Sequence, residues 1–68
     1  MYDYSKLYGR MKEKQETQNS LSEKIGISPS SLNLKLNNKG DFRQAEIFGI
    51  CDILEIDVEQ IPDYFFAH

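Results

Sequence analysis

Few side chains in this sequence are equipped for covalent or proton-transfer chemistry, and their spacing does not bring them together. There is one cysteine, Cys51, and one histidine, His68. A structural zinc site takes four Cys or His ligands, so this pair cannot build one. A single cysteine also forms no internal disulfide. Cys51 would need a base at a defined place to act as a nucleophile, and the sequence marks none. It contains neither a glycine-rich phosphate loop nor a metal-ligand cluster. These features argue against an enzyme, and no cofactor is expected. What remains is a supply of amides, hydroxyls and lysines, groups that hydrogen-bond and neutralise phosphate.

The elements that position those groups read as helices. The 68 residues are expected to form a single domain over 1–68, with a core too small for more than marginal stability. Apolar residues recur at helical spacing, and alternating β-branched runs are missing. Over Asp3 to Gln15, Tyr4, Leu7, Tyr8 and Met11 fall at i, i+3, i+4 and i+7. This predicts a helix capped by Asp3. A second helix is predicted over Thr17 to Ile25, with Thr17 as N-cap and Gly26 as its left-handed C-terminal residue. The third follows at once: Ser28 caps it, Pro29 occupies its first position, and Leu32 and Leu36 form its buried stripe. A fourth runs from about Arg43 to Glu55 on Ile47, Ile50, Cys51 and Leu54, which places Cys51 in the core. Gly49 inside it costs about 1 kcal/mol relative to alanine. A last short segment opens on a capping-box-like Asp57 and Gln60, and Pro62 limits it to about one turn. The expected fold is all-α, a compact bundle of five short helices.

The informative stretch is Thr17 to Asn37, TQNSLSEKIGISPSSLNLKLN. Its two short helices are joined by Gly26, Ile27 and Ser28, a turn tight enough to make the second project from the domain, where it can enter a major groove. Ile27 supplies an apolar plug between them, and Ser22 is small enough for a close approach. Thr17-Gln18-Asn19-Ser20-Leu21-Ser22-Glu23-Lys24-Ile25-Gly26-Ile27-Ser28 resembles the helix-turn-helix of the phage lambda-type repressors and Cro proteins, the XRE-like family. The family pattern is Thr-Gln-x-x-Leu-Ala-x-x-Ile-Gly-Ile-Ser. EIFGICDILEI is similar to the family's fourth helix. MYDYSKLYGRMKEK, SLNLKLNNK and IPDYFF resemble a subgroup of small phage-encoded Cro-like regulators.

The resemblance implies a lambda repressor-like, sequence-specific transcriptional regulator that reads the major groove with residues 29–37. Double-stranded DNA with a two-fold operator would be its partner. Gln18 resembles the family glutamine that anchors to phosphate at a helix N-terminus. Ser28, Ser30, Ser31 and Asn33 match the base-reading half of the recognition helix, Asn33 being suited to adenine. Leu34, with Leu32 and Leu36 already filling the core face, is placed to touch a thymine methyl. Asn37 and Lys39 match phosphate-contacting loop positions, with Asn37 equally able to cap the helix; Lys35 and Arg43 add to that set. The sequence departs from the family at Ser22, where alanine is usual, and at Arg43, where the subgroup tends to place a Ser or Thr cap. Either Asp41 caps the fourth helix instead or Arg43 serves phosphate. The recognition helix also carries neither arginine nor glutamine, which makes direct readout thin.

Charge points two ways. The net charge is −3, against the basic balance usual for DNA binding. It is polarised. Lys6, Arg10, Lys12 and Lys14 exceed Asp3, Glu13 and Glu16 by one, and Lys24, Lys35 and Lys39 exceed Glu23 by two. Residues 41–68 set Arg43 against Asp41, Glu46, Asp52, Glu55, Asp57, Glu59 and Asp63, a balance of −6. A basic front suits phosphate; an acidic back equally suits a basic protein partner, and Arg10 suits either a phosphate or one of those acids. The alternative function is therefore a modulator or antirepressor, the same fold binding a phage repressor protein and inactivating it. Ile61, Tyr64, Phe65 and Phe66 exceed what the end of a small chain needs for its core. With Phe48 they are the expected interface of a homodimer, formed in solution or on DNA. No apolar run is long enough to span a membrane and no signal peptide is visible, so the expected location is the cytoplasm.

Overall fold

The structure, a computed structural model, describes residues 1–68. Five α-helices, with no strand, enclose one core: α1 Ser5–Glu13, α2 Gln18–Ile25, α3 Pro29–Leu36, α4 Gln44–Leu54 and α5 Ile61–Phe65. A 3-10 turn, Val58–Gln60, leads into α5. The all-α five-helix bundle expected from the periodicity is the fold observed. α2 packs on both α3 and α4, and α1 packs on α5. Twelve buried side chains form the core, with Leu7, Leu21, Leu32, Ile50, Leu54 and Phe65 at its centre.

α1, α2 and α3 each start at a local hydrogen-bonding device. Asp3 Oδ1 accepts from the backbone N–H and the hydroxyl of Ser5 at 2.9 and 2.7 Å, one residue ahead of the N-cap position, Tyr4. Thr17 and Ser20 cap α2 reciprocally, each backbone N–H donating to the other's hydroxyl. Gly26 closes α2 at φ +80°, a conformation that costs a residue with a side chain 1–2 kcal/mol, roughly, and glycine little. Ser28 Oγ accepts from Ser31 N at 3.1 Å, and Pro29 stands in the first turn of α3. Between the two helices, Ile27 is half-buried against the core, and Ser22 is fully buried with its hydroxyl on the Asn19 carbonyl at 2.9 Å.

Four expectations need correction. Tyr8 is exposed: Tyr4, Leu7 and Met11 are buried in the core, and the stripe is narrower than its spacing implied. Asp57 makes no side-chain cap; its carbonyl takes the Gln60 N–H at 2.9 Å, and a 3-10 turn forms there. α4 is capped by neither Asp41 nor an Arg43 side chain but by Glu46 Oε1, which accepts the Arg43 backbone N–H at 2.8 Å. Gly49, counted as a helix cost, is where α4 meets α2: a Cβ there would lie 3.3 Å from Ile25 Cγ2.

One long-range clamp was not anticipated. Arg10 reaches from α1 to the C-terminus of α4, donating from Nε to the Leu54 carbonyl at 2.8 Å and from Nη2 to the Glu55 carbonyl at 3.0 Å. It satisfies carbonyls that the helix end leaves free and sets a cation at the negative pole of the helix. Glu55 adopts a left-handed conformation at φ 55°, and its side chain forms an ion pair with Lys14. The chain ends meet as well: Asp3 N donates to the Ala67 carbonyl at 2.7 Å. Asn38, left-handed at φ 61°, exchanges two hydrogen bonds with the Tyr2 backbone, and His68 packs on the Tyr2 ring.

Candidate functional site

The short turn between α2 and α3 leaves a polar depression between their N-terminal halves. Gln18, Asn19, Pro29, Ser30, Asn33 and Leu34 line it. Four of the residues expected to read DNA, Gln18, Ser30, Asn33 and Leu34, therefore converge. Leu34 is exposed as the stripe argument required. The two amides are joined to each other, Asn33 Nδ2 donating to Gln18 Oε1 at 3.1 Å, so the depression is rimmed by a preformed amide pair.

Of the other expected residues, Lys39 and Arg43 are exposed and without an acid, while Ser28, Ser31, Asn37 and Lys35 hydrogen-bond within the chain. Ser28 and Ser31 are tied into the cap of α3. Asn37 caps the far end, its Nδ2 donating to the Asn33 carbonyl at 2.7 Å. Lys35 departs furthest from expectation. Its Nζ lies 2.5 Å from Glu46 Oε2, with side-chain exposures of 12% and 9%, so it links α3 to α4 in place of reaching outward for phosphate. Burial pushes the Glu46 carboxyl up, but the hydrogen bonds from Lys35 and from Arg43 N, with the charges of both residues, outweigh it and hold the group below its ordinary value. The signal for this pair was the Arg43–Glu46 spacing at a helix start. It identifies a cap, and nothing local identifies the lysine that joins it.

Internal pairing takes up five of the eight cationic side chains, and of the three expected at phosphate, Lys35, Lys39 and Arg43, it takes Lys35. Lys6, Arg10, Lys14, Lys24 and Lys35 all stand in ion pairs. Glu16 takes Lys24 at 2.6 Å and the Ser20 hydroxyl at 2.6 Å, which lowers its carboxyl below the ordinary value. Of eight cationic side chains, Lys12, Lys39 and Arg43 are left without an acid, all three exposed.

A second depression runs along α4 into the 3-10 turn. Phe48, Cys51, Asp52, Glu55, Ile56, Asp57 and Val58 line it. Phe48 is 46% exposed and Val58 67%. Asp52, Asp57 and the neighbouring Glu59 are exposed and unpaired. Cys51 lies at its floor, buried in the core as its spacing predicted, and burial raises its thiol above the ordinary value.

The five residues expected at a dimer interface divide between core and surface. Phe65 is 1% exposed and Tyr64 is buried; both are core residues, Phe65 stacking edge-on against Phe42 at 5.4 Å. Ile61 is half-buried against the same core. Phe66 remains exposed, but it lines a cleft with Tyr2, Tyr4, Asp41 and Phe42, apart from Phe48. The five residues thus make no single patch.

A small, strand-free bundle of five helices, with a polar depression between α2 and α3 and an acid-rimmed one along α4, defines the class. The chain belongs to the family described as Protein of unknown function (DUF739), which it matches over residues 1–68. It is similar to the modulator of repression (MOR) of the temperate bacteriophage TP901-1 from Lactococcus lactis, whose structure was solved in solution. The two share 40% identity over 96% of this chain and 88% of that one, with a TM-score of 0.80. No curated protein matches the sequence. No helix is long and apolar enough to cross a membrane.

Proposed function

We propose that this chain is a phage-encoded modulator that binds a repressor protein and takes it out of action. The observation that carries this reading is the 40% identity, over nearly the whole chain, to a protein solved as a modulator of repression. Physical chemistry supports the same choice. DNA affinity comes largely from lysines and arginines that neutralise phosphates and release counterions. Here five of eight cations are occupied by the chain's own acids, and Lys35 is locked inside the fold. A net charge of −3 repels a polyanion and favours a basic partner.

Direct operator binding is the second reading. It is supported by the convergence of Gln18, Ser30, Asn33 and Leu34 between α2 and α3, and by the resemblance of Thr17 to Ser28 to a helix-turn-helix. One experiment separates the two. The repressor of the phage that carries this gene is bound to fluorescent operator DNA, and the purified chain is titrated in. The modulator reading expects anisotropy to fall to that of free DNA, while the chain alone leaves the duplex unbound at low salt. Retardation of the operator by the chain alone, with a steep salt dependence, would support the DNA-binding regulator in its place.

A further inference from the structure

We infer that the depression along α4 and the 3-10 turn is the surface on which this chain seats the cationic, phosphate-binding face of its partner repressor, an inference that rests on the modulator reading. Phe48 and Val58 stand exposed at its centre, where the buried Ile56 and Cys51 form an apolar floor. Three acids share the lining: Asp52 and Asp57, neither in an ion pair, and Glu55, which Lys14 pairs; Glu59 follows in the chain. An apolar centre inside a polar, charged rim is the anatomy of a protein interface.

Charge decides what occupies it. Two copies of this chain meeting there would set Asp52 and Asp57 against their own kind and lose the contact to like-charge repulsion. A DNA duplex is repelled for the same reason. A repressor's DNA-binding face must carry lysines and arginines placed to meet phosphates, and carboxylates around an apolar anchor meet those cations equally well. Occupying that face also blocks the operator, so this one surface accounts for both binding and inactivation. The depression between α2 and α3 lacks this character: its lining carries no formal charge.

The test is binding of the intact chain to the purified repressor, followed by calorimetry at two salt concentrations. Asp52→Lys with Asp57→Lys is expected to weaken binding about tenfold or more and to flatten its salt dependence. Phe48→Ala is expected to weaken it by a similar factor as an apolar anchor. Ser30→Ala and Asn33→Ala are expected to bind like the parent. All are exposed positions, and circular dichroism checks each for an unchanged fold. If the α4 variants bind like the parent while the α3 variants lose affinity, the surface is wrong and the modulator reading survives. If Phe48→Ala instead abolishes a dimer seen in sedimentation, the occupant is a second copy and the inference falls. No binding by the unaltered chain overturns the modulator reading and this surface with it.

Discussion

The depression between α2 and α3 and the one along α4 are built from the same core and present opposite chemistry. Both line up side chains at helical spacing, and both include an exposed hydrophobe, Leu34 in the first and Phe48 in the second. Around the first, charge is largely paired: Lys35 goes to Glu46 inside the fold and Lys24 to Glu16 at the surface, which leaves Lys39 and Arg43 free beyond α3. Around the second, Asp52 and Asp57 stay free. A face's character is set by what its charged residues find to pair with, so a surface that resembles a DNA reader in sequence can be left with few cations to offer. The acids along α4 have almost no basic neighbours in sequence, Arg43 being the one cation after residue 40.

The strongest way to break this contrast is to remove the core beneath both faces. Phe65→Ala empties a site only 1% exposed and is expected to cost about 3–5 kcal/mol, read by urea denaturation. In a 68-residue domain that leaves little folded protein, and both faces disappear together. A loss below about 1 kcal/mol would mean that Phe65 belongs to a surface.

Next in size is the link between the two regions. Glu46→Ala strands Lys35 in a nearly buried place and deletes the cap on Arg43 N, an expected loss of about 2–3 kcal/mol. The milder Glu46→Gln keeps much of the cap and releases a cation on α3. It is expected to raise non-specific duplex binding and to steepen its salt dependence by about one phosphate contact. Unchanged DNA binding in Glu46→Gln would show that pairing of Lys35 is not what keeps this face from phosphate.

Acid sharpens the same point without mutation. Glu46, Glu16 and Glu55 all titrate below their ordinary value of 4.5, Glu55 because Lys14 donates to it. Above 4.5 the unfolded chain also has these groups deprotonated, and the stability they supply is fully present. As pH falls below that value the unfolded chain takes up protons first, and the stability is lost as pH passes through the folded values. Thermal melts should therefore be flat from neutrality to about pH 5 and fall below it, with a shallower fall in Glu46→Gln. Equal falls would mean that the pair contributes no linkage.

The smallest effects are expected at the faces themselves. Phe48→Ala and Ser30→Ala should each change stability by less than about 0.5 kcal/mol in the same denaturation assay. A larger loss at Phe48 would make it a packing residue and weaken the contrast from the α4 side.

Local rules left clear marks on the chain. The order and number of helices, the Thr17 and Ser28 caps, the left-handed Gly26 and the core role of Cys51 were all legible, because each depends on residues within one or two turns. The grouping of Gln18, Ser30 and Asn33 was legible through the resemblance of Thr17 to Ser28 to a helix-turn-helix, and the exposure of Leu34 through the buried stripe of α3. Tyr8 and the aromatic tail were harder to read. Periodicity says which residues share a helix face but not how wide a neighbour covers it, and α5 turned Tyr64 and Phe65 inward while leaving Phe66 out.

By itself, then, the sequence determined the five helices, the caps of α2 and α3 and the acidic excess after residue 40, which are properties of composition and of contacts a few residues apart. The tertiary structure alone decided which charges remain available. Lys35 meets Glu46 across 11 residues of chain, and Arg10 meets the end of α4 across 44. Such pairs depend on how the helices pack. A hydrogen bond or ion pair acts over a few ångströms, and packing brings groups within that distance that the chain holds far apart.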